Sequence, residues 1–368
     1  MENVRIGIVG SRFIADIHAK SFERVPNAEV VAVASPTEEH ARSFADRHGV
    51  KRALTRYEDL LNIDEIDVVS IALPNDLHAE VTIAAANAGK HVICEKPLAV
   101  TLDEADAMIA ACQKAGVQLM YAEELCFAPK YVRAKELADS GALGTVFLVK
   151  QREEHSGPHS PWFWDVSRSG GGVLMDMGCH GIAFARWMLN NQSIASVSAT
   201  LGTYVHADKT QGEDHALTVL SFENGAVALI EDSWAKGGGM DDQAEIYGSK
   251  GHTQADLIRG SSLTTFSEIG YGYAVEKADT TAGWTFTVFE ELWNYGFPQE
   301  MQHFVDCVQR DEPAAITGED GRAALEAIYA AYLSAGTGQK VPLPFRPPEG
   351  TRRPIDLWLN ASGGVDAA

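Results

Sequence analysis

A chain of 368 residues has room for two domains with substantial cores. Its 30 basic against 51 acidic residues give a net charge of −21, which argues against nucleic acid or an anionic membrane as partner. No run of about eighteen apolar residues occurs, so no membrane span is expected, and the five cysteines (Cys94, Cys112, Cys126, Cys179, Cys307) show no clustered spacing. With reduced thiols and no basic, apolar leader at the start, a cytoplasmic location is expected.

The first 121 residues alternate two patterns. Short apolar runs at 4–9, 30–34, 68–72, 91–94 and 118–121 read as strands, and the segments 38–48, 78–88 and 102–115 between them as helices. Repeated β-α units with near-continuous apolar strands predict an α/β fold: a doubly wound parallel sheet covered on both faces. The character changes after about Glu123, dividing the chain into 1–123 and 124–368. The second part opens with a helix at 130–138, a strand at 146–152 and a long apolar helix at 171–189. From 194 to about 266 the strands lengthen and partly alternate, with turns at Glu223-Asn224-Gly225 and 248–251, which predicts an antiparallel or mixed sheet open on one face. Helices at 298–309 and 319–335 and a proline-rich tail from Val341 complete the chain.

Between the first strand and helix lies Gly10-Ser11-Arg12-Phe13-Ile14-Ala15. A glycine turn there lets backbone N–H groups and the helix dipole hold a pyrophosphate. Gly10 and Ala15 fit the first and third positions of the dinucleotide fingerprint, but Arg12 stands where its middle glycine belongs. The arginine can lie over the pyrophosphate, approach a 2′-phosphate or point into solvent. The second strand ends in Ser35-Pro36-Thr37 rather than in the acid that usually holds the ribose of NAD. That absence, with Arg12 close by, tilts the expectation from NAD towards NADP. Pro74, Asn75 and His78 follow the third strand of the pattern, where a loop would lie against the cofactor. Glu95-Lys96-Pro97 closes the next one, and a lysine at a strand end can reach a cofactor or a reacting hydroxyl.

Two further groups stand out downstream. Asp176 and His180, four apart in a helical pattern, share one face among apolar neighbours, where poor solvation shifts their pKa values. The loop 152–165 is dense in Pro, Gly, aromatic and polar residues. Arg152, His155, His159, Trp162 and Trp164 there suit a sugar-like substrate, because aromatic faces stack on rings and imidazoles bind hydroxyls; packing of the tryptophans onto a neighbouring domain is the competing reading. Gly157-Pro158 breaks any helical spacing between His155 and His159, so no metal is expected.

Taken together, Gly10–Ala15 with His18, Pro74-Asn75 with His78, Glu95-Lys96-Pro97, Asp176 with His180, and Glu300 with His303 resemble the Gfo/Idh/MocA oxidoreductases, the glucose–fructose oxidoreductase and inositol dehydrogenase family. The resemblance runs over essentially the whole chain. It implies an N-terminal Rossmann domain and a C-terminal α+β domain that binds substrate and builds homodimers or homotetramers through its large, mostly antiparallel open sheet. It also implies hydride transfer between NAD(P) and a ring hydroxyl or ketone of a sugar, sugar derivative or cyclitol. Lys96, Asp176 and His180 would then be catalytic. Gly10, Ser11, Arg12, Phe13, Ile14, Ser35, Pro74, Asn75, His78, Glu95 and Lys96 would line the cofactor. Around Glu123-Glu124-Leu125-Cys126 many relatives carry Asn and Arg, so Glu124 joins the substrate residues as a departure from the family. His180 is the expected general base and Lys96 the cation polarising the substrate oxygen, with the exchanged assignment open. Two alternatives remain: a redox-assisted glycosidase with a retained cofactor, and a noncatalytic nicotinamide sensor, against which the intact Lys96, Asp176 and His180 argue.

Overall fold

The computed structural model describes residues 3–259, 262–270, 280–288 and 290–361. They form two compact units: 1–127 with 296–323, and 128–295 with 324–368.

In the first unit, β1 (Val4–Val9), β2 (Ala28–Ala34), β3 (Arg52–Leu54), β4 (Val68–Ile71), β5 (His91–Glu95) and β6 (Leu119–Ala122) form one sheet in the order β3-β2-β1-β4-β5-β6. Every neighbouring pair is parallel. This is the Rossmann order, and the chain reverses direction of growth between β1 and β4. The carboxyl ends of those strands therefore border the ligand crevice of the fold. Strands such as β4 are buried at every residue, which is why they read as largely apolar runs without alternation. β3 escapes sequence reading because it is three residues long, two of them exposed.

Helix α1 (Phe13–Phe22) follows the glycine turn; α2 (Glu38–His48), α3 (Tyr57–Leu61), α4 (His78–Asn87) and α5 (Leu102–Ala115) connect the later strands. α5 begins in a full capping box between Thr101 and Glu104, satisfying two helix-end N–H groups.

The second unit contributes α6 (Pro129–Asp139), β7 (Val146–Glu154), the single turns α7 (Val166–Ser169) and α8 (Val173–Asp176), and α9 (Gly178–Met188). It continues with β8 (Ile194–Gly202), β9 (His215–Phe222), β10 (Val227–Ser233), β11 (Asp241–Gly248) and β12 (Gly251–Asp256). A separate hairpin, β13 (Ser262–Ser267) and β14 (Gly283–Val288), precedes α10 (Glu291–Tyr295). Next, α11 (Phe297–Arg310) belongs to the first unit, where Met301, Phe304 and Val305 join a core shared with Ala15, Ala19 and Phe22 of α1. Its periodicity announces an apolar face but not the partner of that face. The described residues end in α12 (Gly318–Thr337), β15 (Val341–Pro342) and α13 (Asp356–Ala361).

The large sheet runs β12-β11-β7-β10-β9-β8-β15, antiparallel except for the β7–β10 pair. Along β7, Val149, Gln151 and Glu153 are buried while Lys150, Arg152 and Glu154 are not, the period-2 alternation of a sheet with one covered face. The expected single helix over 171–189 is broken at Met177 (φ −110°, ψ −33°) into α8 and α9. The break accompanies close seating on the sheet: a Cβ on Gly181 would lie 2.4 Å from Ile230 Cγ2, and one on Gly178 3.1 Å from Asp232 Oδ2.

Candidate functional site

The glycine turn after β1 is built by close approach. Gly10 has φ +127°, and a Cβ there would stand 2.2 Å from the Ala72 carbonyl oxygen beyond β4. Its N–H donates to the Ala34 carbonyl at 2.9 Å, and Ser11 Oγ donates to Ser35 Oγ at 2.8 Å. The turn is thus stapled to the end of β2, at the position where an acid would hold a ribose. Arg12 occupies the N-cap of α1 exposed and without a side-chain cap bond, so the first N–H groups of a ten-residue helix have no side-chain acceptor from it. A glycine-only cradle beneath a helix N-terminus fits a dinucleotide pyrophosphate. Phe13 is 43% exposed and Ile14 partly buried at the same end.

Asn75 is buried beside Pro74 in the 3-10 turn after β4. His78, also buried, turns Nδ1 to the Pro97 carbonyl and Nε2 to the Leu73 carbonyl, each at 2.9 Å. Its ring thereby bridges the loop after β4 to the loop after β5.

At the end of β5, Glu95 is held by two contacts. Oε1 meets His18 Nε2 of α1 at 2.8 Å, and Oε2 accepts the Lys96 backbone N–H at 3.2 Å. Burial raises its pKa, but the His18 hydrogen bond and the nearby positive charges outweigh this, leaving it below the ordinary carboxylate value. Register pairs Glu95 with Ala122, so Lys96 and Glu123 follow side by side on adjacent strand ends. Glu123 is fully buried, and burial pushes its carboxyl up to about 8 despite the attraction of Lys96; Glu95 adds to the rise. Glu124 begins the next 3-10 turn, and Glu300 of α11 is buried near it. Burial and the carboxylates of Glu124, Glu95 and Glu123 hold Glu300 well above its ordinary pKa.

In the second unit, Asp176 and His180 are both buried, the first closing α8 and the second in the opening turn of α9. Trp234, fully buried, donates Nε1–H to Asp176 Oδ2 at 3.2 Å. Trp164 packs edge-on against Trp234 (5.2 Å) and tilted against His206 (5.0 Å), with Lys209 Nζ 5.3 Å from its ring centre. An aromatic chain thus leads from the loop 152–165 to the carboxylate. The short helix α8 is anchored by Glu213, whose carboxylate accepts N–H bonds from Leu174 (2.9 Å) and Gly172 (3.3 Å) and the Tyr332 hydroxyl (2.8 Å). Burial pushes Glu213 up to about 7, against the pull of these hydrogen bonds.

Across the covered face, register aligns Asp242 with Glu153 and Glu153 with Asp232, three buried carboxyls in a row. Tyr131 donates its hydroxyl to Asp242 Oδ1 at 2.5 Å. Neither oxygen of Asp232 finds a hydrogen bond among the described residues; burial first, then Asp176, raises its pKa well above normal.

The remaining loop residues separate. His155 is buried, its Nδ1 accepting the Gly157 N–H at 3.1 Å, while His159 is exposed. Trp162 stacks on Phe163 at 3.8 Å. Arg152 lies on the opposite face of β7 from Glu153, near Glu154 (3.5 Å) and Asp241 (3.6 Å). Sequence reasoning did not single out Trp234, Glu213, Tyr332 or Asp232. A lone Trp or Asp carries no local signal; the place of Asp232 comes from strand register, and that of Trp234, Glu213 and Tyr332 from hydrogen bonds to residues distant in sequence.

Comparison with known proteins places these features in context. Residues 4–123 match the family model described as an oxidoreductase family with an NAD-binding Rossmann fold, and residues 131–254 match the GFO/IDH/MocA C-terminal domain. Myo-inositol 2-dehydrogenase of Thermotoga maritima is 30% identical over 92% of this chain and 98% of its own. D-xylose 1-dehydrogenase (NADP(+)) 2 of Haloferax volcanii is 31% identical over 92% of this chain and 99% of its own. The solved structure of GenD2 from gentamicin A biosynthesis, in complex with NAD, superposes with a TM-score of 0.88 at 31% identity, covering 93% of this chain and 97% of that one.

Proposed function

Because the chain belongs to the Gfo/Idh/MocA oxidoreductase family, we propose that it transfers a hydride between NAD(P) and a ring hydroxyl or ketone of a sugar, sugar derivative or cyclitol. The observation that carries this reading is Lys96, placed at the carboxyl end of β5 with its backbone held by a buried carboxylate, on a sheet whose glycine turn suits a pyrophosphate. The nicotinamide supplies the hydride chemistry when bound.

The residues supply the proton chemistry and the orientation. Oxidation of a carbinol requires its O–H proton to leave as the C–H electron pair does. His180 takes that proton as general base, and the Lys96 ammonium stabilises the developing alkoxide. Asp176, fixed by the Trp234 N–H, orients the machinery; the exchanged roles for Lys96 and His180 use the same atoms. Glu124, His155, His159, Trp162 and Trp164 are the proposed substrate contacts, with Arg152 on the opposite strand face. Ser35 offers no carboxylate to repel a 2′-phosphate, and exposed Arg12 stands in the linked turn, which supports acceptance of NADP as well as NAD, with NADP favoured. Leu217 and Leu229, each 37% exposed on the other face of the large sheet, support self-association through that sheet.

The test is reduced-cofactor absorbance at about 340 nm with NAD⁺ or NADP⁺ and a panel of inositols, aldoses and glycosides, with product analysis. Stoichiometric reduced cofactor and a ketone or lactone product are expected. Cleavage of a glycoside without net reduced cofactor would replace this reading with the redox-assisted glycosidase.

A further inference from the structure

His18 lies on α1, the helix that starts at the cofactor turn, yet its ring is fully buried and faces away from solvent. Its Nδ1 is 2.7 Å from Ser70 Oγ on β4, and its Nε2 is 2.8 Å from Glu95 Oε1 on β5. Ser70 is fully buried and Glu95 nearly so. An ionised carboxylate only accepts, so Nε2 carries a proton towards Glu95, and Ser70 completes the ring's other side whichever way its hydroxyl points. The second carboxylate oxygen of Glu95 is then free to hold the Lys96 N–H. A buried polar pair is a poor source of net stability compared with apolar packing of the same volume, so its worth here lies in the geometry it imposes.

We propose that His18, locked by Ser70, is a positioning residue for Lys96: it fixes the Glu95 carboxylate so that Oε2 holds the lysine's backbone N–H, tying the cofactor-turn helix to the strand end that bears the lysine. The importance of Lys96 to turnover rests on the proposed function; the linkage itself rests on the three contacts.

Two near-isosteric variants separate the bonds. In His18→Gln the side-chain amide reaches the Nε2 position and still donates to Glu95; in His18→Asn it reaches only the Nδ1 position, towards Ser70. A misplacement of about 1 Å can cost roughly 100-fold in rate. H18N is therefore expected to lose about 100-fold in kcat, with cofactor Kd and substrate KM within about threefold, and H18Q to recover most of that loss. A purely structural role for His18 would impair both variants alike, or would weaken cofactor binding in proportion to turnover; either result overturns the proposal. A second readout needs no substrate. Amide hydrogen exchange at Lys96 should accelerate in H18N and stay slow in H18Q, with thermal melts confirming that both fold. An amide equally protected in both variants overturns the proposal. Wild-type turnover in Lys96→Met would instead defeat the proposed function, while the exchange result still decides the role of His18.

Discussion

Replacing Lys96 by Met lowers kcat by about 10³-fold, within the 10²–10⁴ range ordinarily supplied by a positioned acid–base group. Met keeps the length and apolar stem of the side chain but removes the ammonium that would stabilise an alkoxide. Cofactor affinity, measured by reduced-cofactor fluorescence, changes far less, because the glycine turn at Gly10 and the Ser11–Ser35 staple are untouched. The variant also removes a cation that draws the Glu123 pKa down, so Glu123 titrates higher still. A kcat within tenfold of wild type would remove Lys96 from the chemistry.

Stability falls as pH rises from about 4.5 to about 8, and Glu123 and Glu213 are two of the causes. Their carboxyls titrate at about 8 and about 7 in the folded chain, against an ordinary 4.5. Between those values the unfolded chain releases protons that the folded chain retains, so unfolding becomes progressively more favourable. Below about 4.5 both states are protonated, and above about 8 both are ionised, so neither group adds slope there. At about 1.4 kcal/mol per pKa unit, each group has a ceiling of roughly 3–5 kcal/mol. Glu123→Gln removes one of the two. Urea denaturation should find the variant close to wild type in relative stability near pH 5 and about 2–4 kcal/mol more stable near pH 8. Comparing the difference between the two proteins at each pH cancels the self-repulsion of a chain with net charge −21. An unchanged difference from pH 5 to pH 8 would contradict the assignment of Glu123 as a buried, protonated acid.

The parallel sheet was legible because its main strands are buried along nearly their whole length, so Val and Ile dominate β1, β4 and β5 without a period-2 alternation. Motif spacing likewise singled out Gly10, Lys96, Asp176 and His180 as candidates. Three features depended on distant partners. The helix break at Met177 accompanies the anchoring of α8 by Glu213, a residue far downstream and silent in a periodicity reading. α11 carries an apolar stripe that fits the first unit as plausibly as the second until α1 is beside it. Arg152 and Glu153 are adjacent in sequence, and only the phase of alternation along β7 tells which one faces the helices. The same holds for the buried acids: nothing local marks Asp232, whose character comes from burial and from Asp176.

The central claim is that a hydride leaves a carbinol carbon of a ring substrate for the nicotinamide. The most direct measurement is a single turnover with a substrate from the panel deuterated at the reacting carbon, followed by mass analysis of the reduced cofactor and the product. The account predicts one deuterium in the reduced cofactor and a carbonyl at the carbon that lost it. Deuterium retained in the product, or released to water while the cofactor stays oxidised, would contradict it.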